Sequence, residues 1–415
     1  MSADDSVAAP TASLLSVAQA RDRVIARARL RELGRETLAL DRALGRTLAA
    51  PVTAPIDVPG FANSAMDGFA LRGADLPHAS EGRFFRLVAT RLAGDGRTVT
   101  IGAGECVRIT TGAPLPQGAD TVVIKENVRI DGDDIVVGAG ERAGANTRAA
   151  GEDFRHGEQA FVTGERLTPA RLGALASFGR TDVEVFRAPH AVLLTTGDEI
   201  VAPGEVLDYG QIYNSNRHSL GAMLREAGVE LLRHEHVRDD PDTLRDALRR
   251  AAAEADLVVS CGGVSAGEAD FLPRLLAEIG IVDFWKVRMK PGMPLLFGAI
   301  GAALVFSLPG NPVSSIATFQ VIVKPALEVW AGRDPARSPR WYARLAEPVR
   351  KTHKRAEFLR AMRECRADGT LWVTPFPRQG SGVLRSVAEA DCLVVVNEEV
   401  QSLAAGDCVE ILPLS

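Results

Sequence analysis

The feature that most constrains the fold is a regular alternation of apolar runs and helix-like stretches between Ala191 and Trp330. Apolar runs at 191–195, 229–237 and 257–261 are each followed by a stretch with helical periodicity. Alternating strands and helices predict a mostly parallel sheet that is covered by helices. Because ligands of such sheets bind beyond the carboxyl ends of the strands, we expect a binding site at one edge of this domain.

The apolar run 257–261 leads into a glycine-rich loop at 262–270, and a helical stretch at 271–279 follows. Glycine allows a tight turn and a close approach to a ligand, and the first turn of a helix favours an anion such as phosphate. Asp270 stands where the helix should begin, where it could cap the helix or reach a metal ion beside the phosphate. By itself, the motif fits a plain turn with a capping aspartate equally well.

Three acidic residues follow predicted strand ends: Glu199, Asp239 and Asp270. Carboxylates that meet without a compensating charge repel one another, and a divalent cation that also bridges phosphates would remove the repulsion. We therefore interpret these residues as candidate ligands of Mg²⁺ or a similar ion.

Basic residues recur at Lys286, Arg288 and Lys290, just before Pro291-Gly292. In an extended strand these three side chains would share one face, where they could hold an oxyanion. The competing interpretation is a solvated edge strand that carries lysines. Cys261 is expected to be a small core residue. Taken in isolation, several further residues are expected on the surface: His218, His234, His236, Arg360 and the loop 380–382.

The segments on either side of this region have other textures. A capping box at 16–19 opens a predicted helix to about Arg29, and Asp131-Gly132 between two β-like runs indicates a hairpin. We predict a multidomain α/β plus β fold, in which a β domain is inserted into a segmented helical domain. The predicted domains are an N-terminal helical segment (1–50), the inserted β domain (51–143), a second helical segment (144–182), the α/β domain (183–333) and a C-terminal β-barrel (334–415).

Composition argues against several classes of function. The chain has 415 residues, of which 46% are hydrophobic, enough for about two to four domains. A net charge of −5 and an aromatic content of 5% favour neither nucleic acid nor an acidic membrane as a partner. Five scattered cysteines without a C-x-x-C pair indicate reduced thiols. Because the N-terminus carries no secretory signal and no apolar run is long enough to span a bilayer, we expect a cytoplasmic protein.

Eight segments of the chain resemble, in the same order, the motifs of the molybdopterin molybdenumtransferase family, the MoeA type to which the E domain of gephyrin also belongs. They are 59–70, 108–114, 151–153, 196–199, 210–216, 262–270, 286–294 and 308–312. The segments span nearly the whole chain, and the last landmarks of the family, Arg360 and Gly380-Ser381, are weaker.

The resemblance implies an elongated homodimer of four-domain subunits, in which the α/β domain binds molybdopterin. It implies an enzyme of molybdenum cofactor biosynthesis that inserts molybdate into adenylylated molybdopterin and releases AMP, with Mg²⁺ or a similar ion. In the family, the active site lies between the α/β domain of one subunit and the inserted β domain of the other. The molybdopterin adenylyltransferase is a further expected protein partner.

The resemblance also assigns roles to individual residues. The catalytic positions are Asp67, Thr111, Glu199, Asp239 and Asp270, of which the last three bind the metal ion. The substrate-binding positions are Gly262, Gly263, Ser265, Gly267, Lys286, Lys290, Pro309, Pro312, Arg360 and Ser381. Two positions depart from the family pattern: Ala62 stands where Asp is common, and Met293 stands where Lys is common. The first change removes one polar contact, and the second removes one cation from the predicted oxyanion row.

Two other functions are compatible with parts of the chain. A molybdopterin adenylyltransferase resembles the α/β domain alone, and its glycine loop typically reads Gly-Gly-Thr-Gly, whereas residues 262–265 read Gly-Gly-Val-Ser. A non-enzymatic scaffold of the same fold need not retain the acidic residues. Since three further domains are predicted and all the acidic residues are present, we favour the transferase.

Overall fold

The structure is a computed structural model that describes residues 14–77, 82–263 and 271–414. The chain divides into two compact units. The smaller unit consists of Leu38–Leu44 and Ala50–Val183, and the larger unit comprises the described parts of Met1–Thr37, Gly45–Ala49 and Glu184–Ser415.

The first helix of the larger unit is α1 (Val17–Arg29), and β1 (Arg35–Ala39) follows it. The predicted capping box is confirmed, because the Ser16 hydroxyl accepts a hydrogen bond from the Gln19 amide at 3.1 Å and the Gln19 side chain accepts one from the Ser16 amide at 2.9 Å. The inner face of α1 is buried, and the indole nitrogen of Trp330 donates to the carbonyl of Ala28 at 3.1 Å. These contacts fix α1 against the last helix of the α/β region.

The smaller unit is built mainly from short strands. Its elements are β2 (Val52–Thr53), β3 (Asn63–Ser64), β4 (Gly68–Leu71), β5 (Arg83–Arg91), β6 (Glu105–Ile109), β7 (Thr121–Ile124), β8 (Val128–Asp131), β9 (Asp134–Val137), β10 (Thr147–Arg148), β11 (Gln159–Phe161) and α2 (Pro169–Ser177), with 3₁₀ turns at Leu40–Arg42, Gly73–Asp75 and Lys125–Asn127; β12 (Asp182–Phe186) follows. Within the described residues, six strands form one sheet in the order β7-β4-β6-β5-β9-β8. The hairpin predicted at Asp131-Gly132 is confirmed, since β8 and β9 pair antiparallel there.

The alternating region of the larger unit forms the predicted sheet. Its elements are β13 (His190–Thr196), β14 (Ile200–Val201), β15 (Ile212–Tyr213), α3 (Ser215–Glu226), β16 (Glu230–Val237), α4 (Pro241–Glu254), β17 (Leu257–Cys261), α5 (Phe271–Ile279), β18 (Ile281–Trp285), β19 (Met289–Lys290), β20 (Leu296–Ile300), β21 (Ala303–Leu308), α6 (Pro312–Thr318), a π-helical turn (Phe319–Val323) and α7 (Lys324–Trp330). The strand order is β16-β13-β17-β21-β20-β18. The pairs among β16, β13, β17 and β21 are parallel and the remaining two are antiparallel, which confirms a mostly parallel sheet.

Both faces of this sheet are buried. Successive side chains of a strand point to opposite faces, so each strand contributes to the apolar clusters on both sides. On β13, Leu193 joins a cluster that contains residues of α1, α3 and α7, whereas Val192 and Leu194 join a cluster with α4 and α5. Continuous apolar strands of this kind are typical of parallel sheets with helices on both sides. The two helical layers hold the strand ends at fixed positions.

The C-terminal region forms the predicted β-barrel. Its elements are β22 (Trp341–Leu345), β23 (Val349–Arg350), β24 (Ala356–Cys365), β25 (Leu371–Pro375), α8 (Leu384–Ala388), β26 (Cys392–Val396), β27 (Ser402–Leu403) and β28 (Cys408–Pro413), with a 3₁₀ turn at Pro335–Arg337. The pairing runs β24-β25-β22-β28-β26, and β26 pairs back to β24, so the ring is closed. The strand β19 adds to the outside of β24. Among the described helices, none is both long and apolar enough to cross a lipid bilayer.

Candidate active site

The parallel strands β13, β16, β17 and β21 bring four chain segments to one edge of the sheet. Thr196 is paired with Val237, and Cys261 is paired with Leu308, so these strands end at nearly the same level. The residues that follow include Glu199, Asp239, Gly262 and Gly263, which were expected at this edge because they come after predicted strands, and Pro309, which the resemblance assigns to the site. Three other predicted residues of this edge, Ser265, Gly267 and Asp270, lie outside the described residues.

The close approach of two strand ends explains why glycine occupies position 262. Gly262 has φ +107°, and a Cβ atom there would stand 2.5 Å from the carbonyl oxygen of Thr196. An L side chain at this position would combine an unfavourable backbone conformation with a steric clash. The buried hydroxyl of Thr196 lies on the same side and has no hydrogen-bond partner among the described residues. The chain therefore turns at Gly262 against the end of β13.

The two described acidic residues at this edge are exposed and unpaired. The carboxylates of Glu199 and Asp239 have no hydrogen bond or ion pair to the described part of the chain, whereas the carboxylate of the neighbouring Asp198 lies 3.8 Å from the guanidinium of Arg238. Unpaired carboxylate oxygens on adjacent strand ends are the donors that Mg²⁺ prefers. Within the described ranges, no group of three or more potential metal ligands occurs. The donor set that is described fits a divalent ion with further ligands from outside it.

Asn216, in the first turn of α3, was not predicted as a site residue. Its side-chain amide donates to the carbonyl of Gly310 at 2.6 Å and lies 3.1 Å from the sulfur of Cys261, while its oxygen accepts from the Ser315 hydroxyl at 3.3 Å. The Cys261 thiol in turn lies 3.2 Å from the carbonyl of Pro309. Asn216 thus ties the ends of β17 and β21 to the start of α3. The motif 210–216 contained this residue, but only the fold reveals its contacts.

Cys261 is the buried core residue that the sequence predicted. Burial raises the pKa of its thiol to about 12, an effect that the nearby amide of Asn216 only partly opposes. The thiol is therefore protonated at neutral pH and acts as a small packing group. Pro312 is the first residue of α6, where a backbone N–H would have no partner within the helix, so proline is well tolerated there. Its restricted φ fixes the turn that follows β21.

His234 is not a surface residue, contrary to the sequence-based expectation. It faces the end of β13 from β16, and its Nε2 atom lies 2.9 Å from the hydroxyl of Thr195. Burial, followed by the charge of Arg217, lowers the pKa of His234 to about 4. The same Thr195 hydroxyl accepts a hydrogen bond from Asn214 at 2.8 Å. His234 is thus a neutral member of a polar cluster behind the strand ends.

The basic segment does not form the extended row that was expected. The strand β18 ends at Trp285, and Lys286 has φ +70°, a left-handed conformation that breaks the two-residue alternation. The three side chains consequently have separate partners. The Lys286 ammonium lies 3.6 Å from the centre of the Trp285 ring, Arg288 pairs with Glu398 at 2.9 Å, and Lys290 pairs with Glu357 at 2.8 Å.

Arg360 is deeply buried, which corrects the expectation of a surface position. It is 1% exposed, and its guanidinium donates to the Ser386 hydroxyl at 3.1 Å and to the carbonyls of Arg378 and Gly380 at 3.3 and 3.0 Å. Burial lowers its pKa, and the negative charge of Glu357 acts in the opposite direction. Arg360 therefore shapes the loop in which Ser381 stands half-buried.

The smaller unit contains the other two predicted catalytic residues side by side. One carboxylate oxygen of Asp67 accepts hydrogen bonds from the backbone amide and the hydroxyl of Thr111, at 2.8 and 2.9 Å. The bond from the Thr111 backbone amide, followed by the bond from its hydroxyl, lowers the pKa of Asp67. The ammonium of Lys125, 4.0 Å away, lowers this pKa further. Both Asp67 and Thr111 are exposed, so they present an oriented anionic group to solvent.

Three family models match successive parts of the chain. They are described as the MoeA N-terminal region (domain I and II), over residues 15–179, a probable molybdopterin binding domain, over 192–329, and the MoeA C-terminal region (domain IV), over 342–414. The chain is 34% identical to the molybdopterin molybdenumtransferase of Haemophilus influenzae, over 92% of this chain and 94% of the relative. It is 37% identical to the protein of that name from Synechococcus elongatus, over 89% and 92% of the two chains.

Solved structures agree with these matches. A crystal structure described as the molybdopterin biosynthesis MoeA protein from Pyrococcus horikoshii covers 96% of this chain and 99% of its own, with a TM-score of 0.81 and 26% identity. A second structure of the MoeA protein from the same organism has a TM-score of 0.78 and 31% identity, over 97% of this chain and 100% of its own. The chain therefore belongs to the molybdopterin molybdenumtransferase family.

Proposed function

We propose that this chain inserts molybdenum from molybdate into adenylylated molybdopterin and releases AMP. In this reaction, molybdenum–sulfur bonds form at the dithiolene while the oxygen displaced from molybdate is protonated and leaves as water, and a water molecule cleaves the phosphoanhydride bond so that AMP is released. The observation that carries the proposal is the sheet edge at which a glycine turn meets two exposed and unpaired carboxylates, Glu199 and Asp239. A pyrophosphate with a divalent ion suits such an edge, because the carboxylates hold the ion and the backbone leaves room for the phosphates.

The proposed roles are those that the resemblance to the family assigns. Glu199 and Asp239, with Asp270, hold Mg²⁺ or a similar ion, which would neutralise charge on the pyrophosphate when bound. The loop residues Gly262, Gly263, Ser265 and Gly267 approach the phosphates, and Pro309 and Pro312 shape the wall beside them. Lys286 and Lys290 bind molybdate, assisted by Arg360 and Ser381. Asp67 and Thr111 orient the substrate from the smaller unit.

The proposed assembly is a homodimer. Membership of the family supports an assembly of two subunits with two composite sites. At each site, one subunit contributes the α/β domain, and the other contributes the inserted β domain with Asp67 and Thr111. A molybdopterin adenylyltransferase is the proposed source of the adenylylated substrate, because the reaction consumes its product.

The proposal is tested by mixing the purified protein with adenylylated molybdopterin, Mg²⁺ and molybdate, and by measuring AMP and active cofactor. We expect both products to appear, and we expect EDTA to suppress them. Glu199→Gln and Asp239→Asn should lower turnover by about a hundredfold, since each removes a charged ligand of the ion. Asp198→Asn is the matched control, because this acid pairs with Arg238 and should be dispensable.

Two results would contradict the proposal. Formation of adenylylated molybdopterin from ATP, without consumption of that compound on addition of molybdate, would indicate an adenylyltransferase. A folded protein that catalyses neither of these two reactions would indicate a scaffold.

A further inference from the structure

A buried carboxylate stands beside the cation that is proposed to bind molybdate. Glu357 is the second residue of β24 and pairs in parallel register with Lys290 of β19. One of its oxygens lies 2.8 Å from the Lys290 ammonium, and the Glu357 side chain is 7% exposed against 40% for Lys290. The carboxylate is therefore the inner partner of the pair, and the ammonium is the partner that a ligand can reach.

The same carboxylate is the negative charge that acts on Arg360. The guanidinium of Arg360 is buried, and it donates hydrogen bonds to uncharged groups, the Ser386 hydroxyl and two carbonyls. Burial lowers the pKa of Arg360, and Glu357 is the group that raises it. Lys290 is thus the cation in contact with Glu357, and Arg360, three residues further along β24, is influenced by the same charge without an ion pair to it.

The other charged groups around Glu357 include the cations Lys351 and Arg355, while Glu398 and Glu399 also act on Lys351. His353 places its Nε2 atom 3.5 Å from the second oxygen of Glu357, and burial, with Lys290, Arg355 and Lys351 nearby, lowers the pKa of His353. The ammonium of Lys351 donates to the carbonyls of Arg355, Asn397 and Glu398. With His353 neutral, Glu357 is the carboxylate in contact with Lys290, whereas Glu398 pairs with Arg288.

We propose that Glu357 sets the oxyanion affinity of this site, as a resident counter-ion that an incoming anion must oppose. With no ligand present, its charge compensates the buried and half-buried cations, which would otherwise repel one another. When a dianion approaches Lys290, the same charge repels it and weakens binding. The inference rests on the proposed function for the identity of the oxyanion as molybdate, but the electrostatic argument holds for any small dianion.

The test compares Glu357→Gln with the wild type. Glutamine keeps the volume of the side chain and an acceptor for Lys290, but it removes the charge. We expect the molybdate concentration for half-maximal turnover to fall by about tenfold or more, because one repulsive charge near the ligand is removed. The matched control is Glu364→Gln, which changes an exposed glutamate of the same strand and should leave the dependence unchanged.

A second measurement does not require turnover. Thermal unfolding is followed with increasing sulfate, as a dianion of similar shape, and with nitrate, as a monoanion. In Glu357→Gln, sulfate should stabilise the protein at about tenfold lower concentration than in the wild type. The corresponding decrease for nitrate should be smaller, because a Coulomb effect scales with the charge of the ligand. Glu357→Asp, which keeps the charge but withdraws it from Lys290, should shift the sulfate dependence by about two- to threefold in the same direction.

The outcomes separate this inference from the proposed function. If the wild type forms cofactor but both Glu357 variants keep its molybdate and sulfate dependence, Glu357 is a structural residue only and the inference is overturned. If the wild type forms no cofactor but Glu357→Gln still gains sulfate affinity, the inference stands and the proposed function fails. Equal gains for nitrate and sulfate would also overturn it, because they would point to a change of shape.

Discussion

Lys290 is the residue on which the proposed oxyanion site depends most. Its backbone is fixed by pairing of β19 with β24, and its ammonium is held at one side by Glu357 while remaining 40% exposed. Arg355 adds a cation nearby, since its guanidinium lies 3.9 Å from the sulfur of Met293. A cation of another segment therefore stands beside the position at which the family commonly has Lys.

Replacement of Lys290 tests its part in anion binding. A charge-assisted contact contributes about 1.5–3 kcal/mol, or roughly ten- to a hundredfold in affinity. Lys290→Met should raise the molybdate concentration for half-maximal turnover by about that factor, and Met293→Lys should lower it. Lys324→Met, in α7, is the control lysine. An unchanged molybdate dependence in Lys290→Met would favour the interpretation of these lysines as a solvated edge.

His234 makes the stability of the larger unit depend on pH. Its pKa is lowered from 6.5 to about 4 in the folded state, mainly by burial. The unfolded chain therefore binds a proton between these values while the folded chain does not, so stability present above pH 6.5 is lost as the pH falls towards 4. Because His234 is only half-buried, solvent screening limits the effect to about 1–2 kcal/mol.

This pH effect is measured by thermal unfolding of the wild type and His234→Gln at pH values of about 7.5 and 5. The variant should lose less stability between the two values than the wild type, because glutamine does not titrate. His218→Gln, at an exposed position of α3, should retain the wild-type difference. An equal loss in wild type and His234→Gln would assign the acid sensitivity to other groups.

At the scale of elements, the turn after β19 can approach α6 closely because Gly292 has no side chain. Its φ is +103°, and a Cβ atom would lie 2.3 Å from the hydroxyl of Thr318 and 3.4 Å from the carbonyl of Ser314. The Thr318 hydroxyl is buried and has no hydrogen-bond partner in the described part of the chain. The turn that carries Lys290 thus packs directly on the helix backbone.

Gly292→Ala should therefore destabilise the protein through both strain and overlap, by about 2–4 kcal/mol, and should weaken the molybdate response by moving Lys290. Gly301→Ala is the matched control, since Gly301 has φ +56° but no atom within 4 Å of the added Cβ. It should cost only about 1 kcal/mol, the contribution of the backbone alone. Thermal unfolding of both variants checks the difference, and equal losses would exclude the contact with Thr318 as the cause.

At the scale of the whole molecule, the predicted catalytic residues are divided between the two units. Asp67 and Thr111 lie in the smaller unit, whereas Glu199 and Asp239 lie in the larger one. The proposed homodimer unites them by combining domains of different subunits. Membership of the family supports this arrangement, which is open to a direct test.

Mixed dimers of Asp67→Ala and Asp270→Ala subunits provide that test. Each homodimer should be inactive, but a heterodimer with composite sites contains one site with both residues intact, so about a quarter of the sites should recover activity after random exchange of subunits. Activity is compared before and after subunit exchange, and heterodimers are verified by differently tagged subunits. Verified heterodimers without activity would contradict composite sites.

The sequence by itself determined the features that depend on neighbouring residues. The capping box of α1, the hairpin turn at Asp131-Gly132 and the alternation that builds the parallel sheet are local patterns, and they appear in the structure as predicted. The same alternation placed Glu199 and Asp239 at one edge, because the carboxyl ends of parallel strands meet there. The ordered motifs identified the family because each is a short local segment that can be recognised in the sequence.

Tertiary structure alone decided which charges meet. Arg360 resembles a surface residue in the sequence, yet it is buried in contact with the segment 378–386, and Glu357 meets Lys290 only because β19 adds to β24 across a wide separation in the chain. The left-handed conformation of Lys286 ended the expected row of cations, and the contacts of Asn216 required three strand and helix ends to come together. Burial and charge pairing depend on residues distant in sequence, so no local pattern could have predicted them.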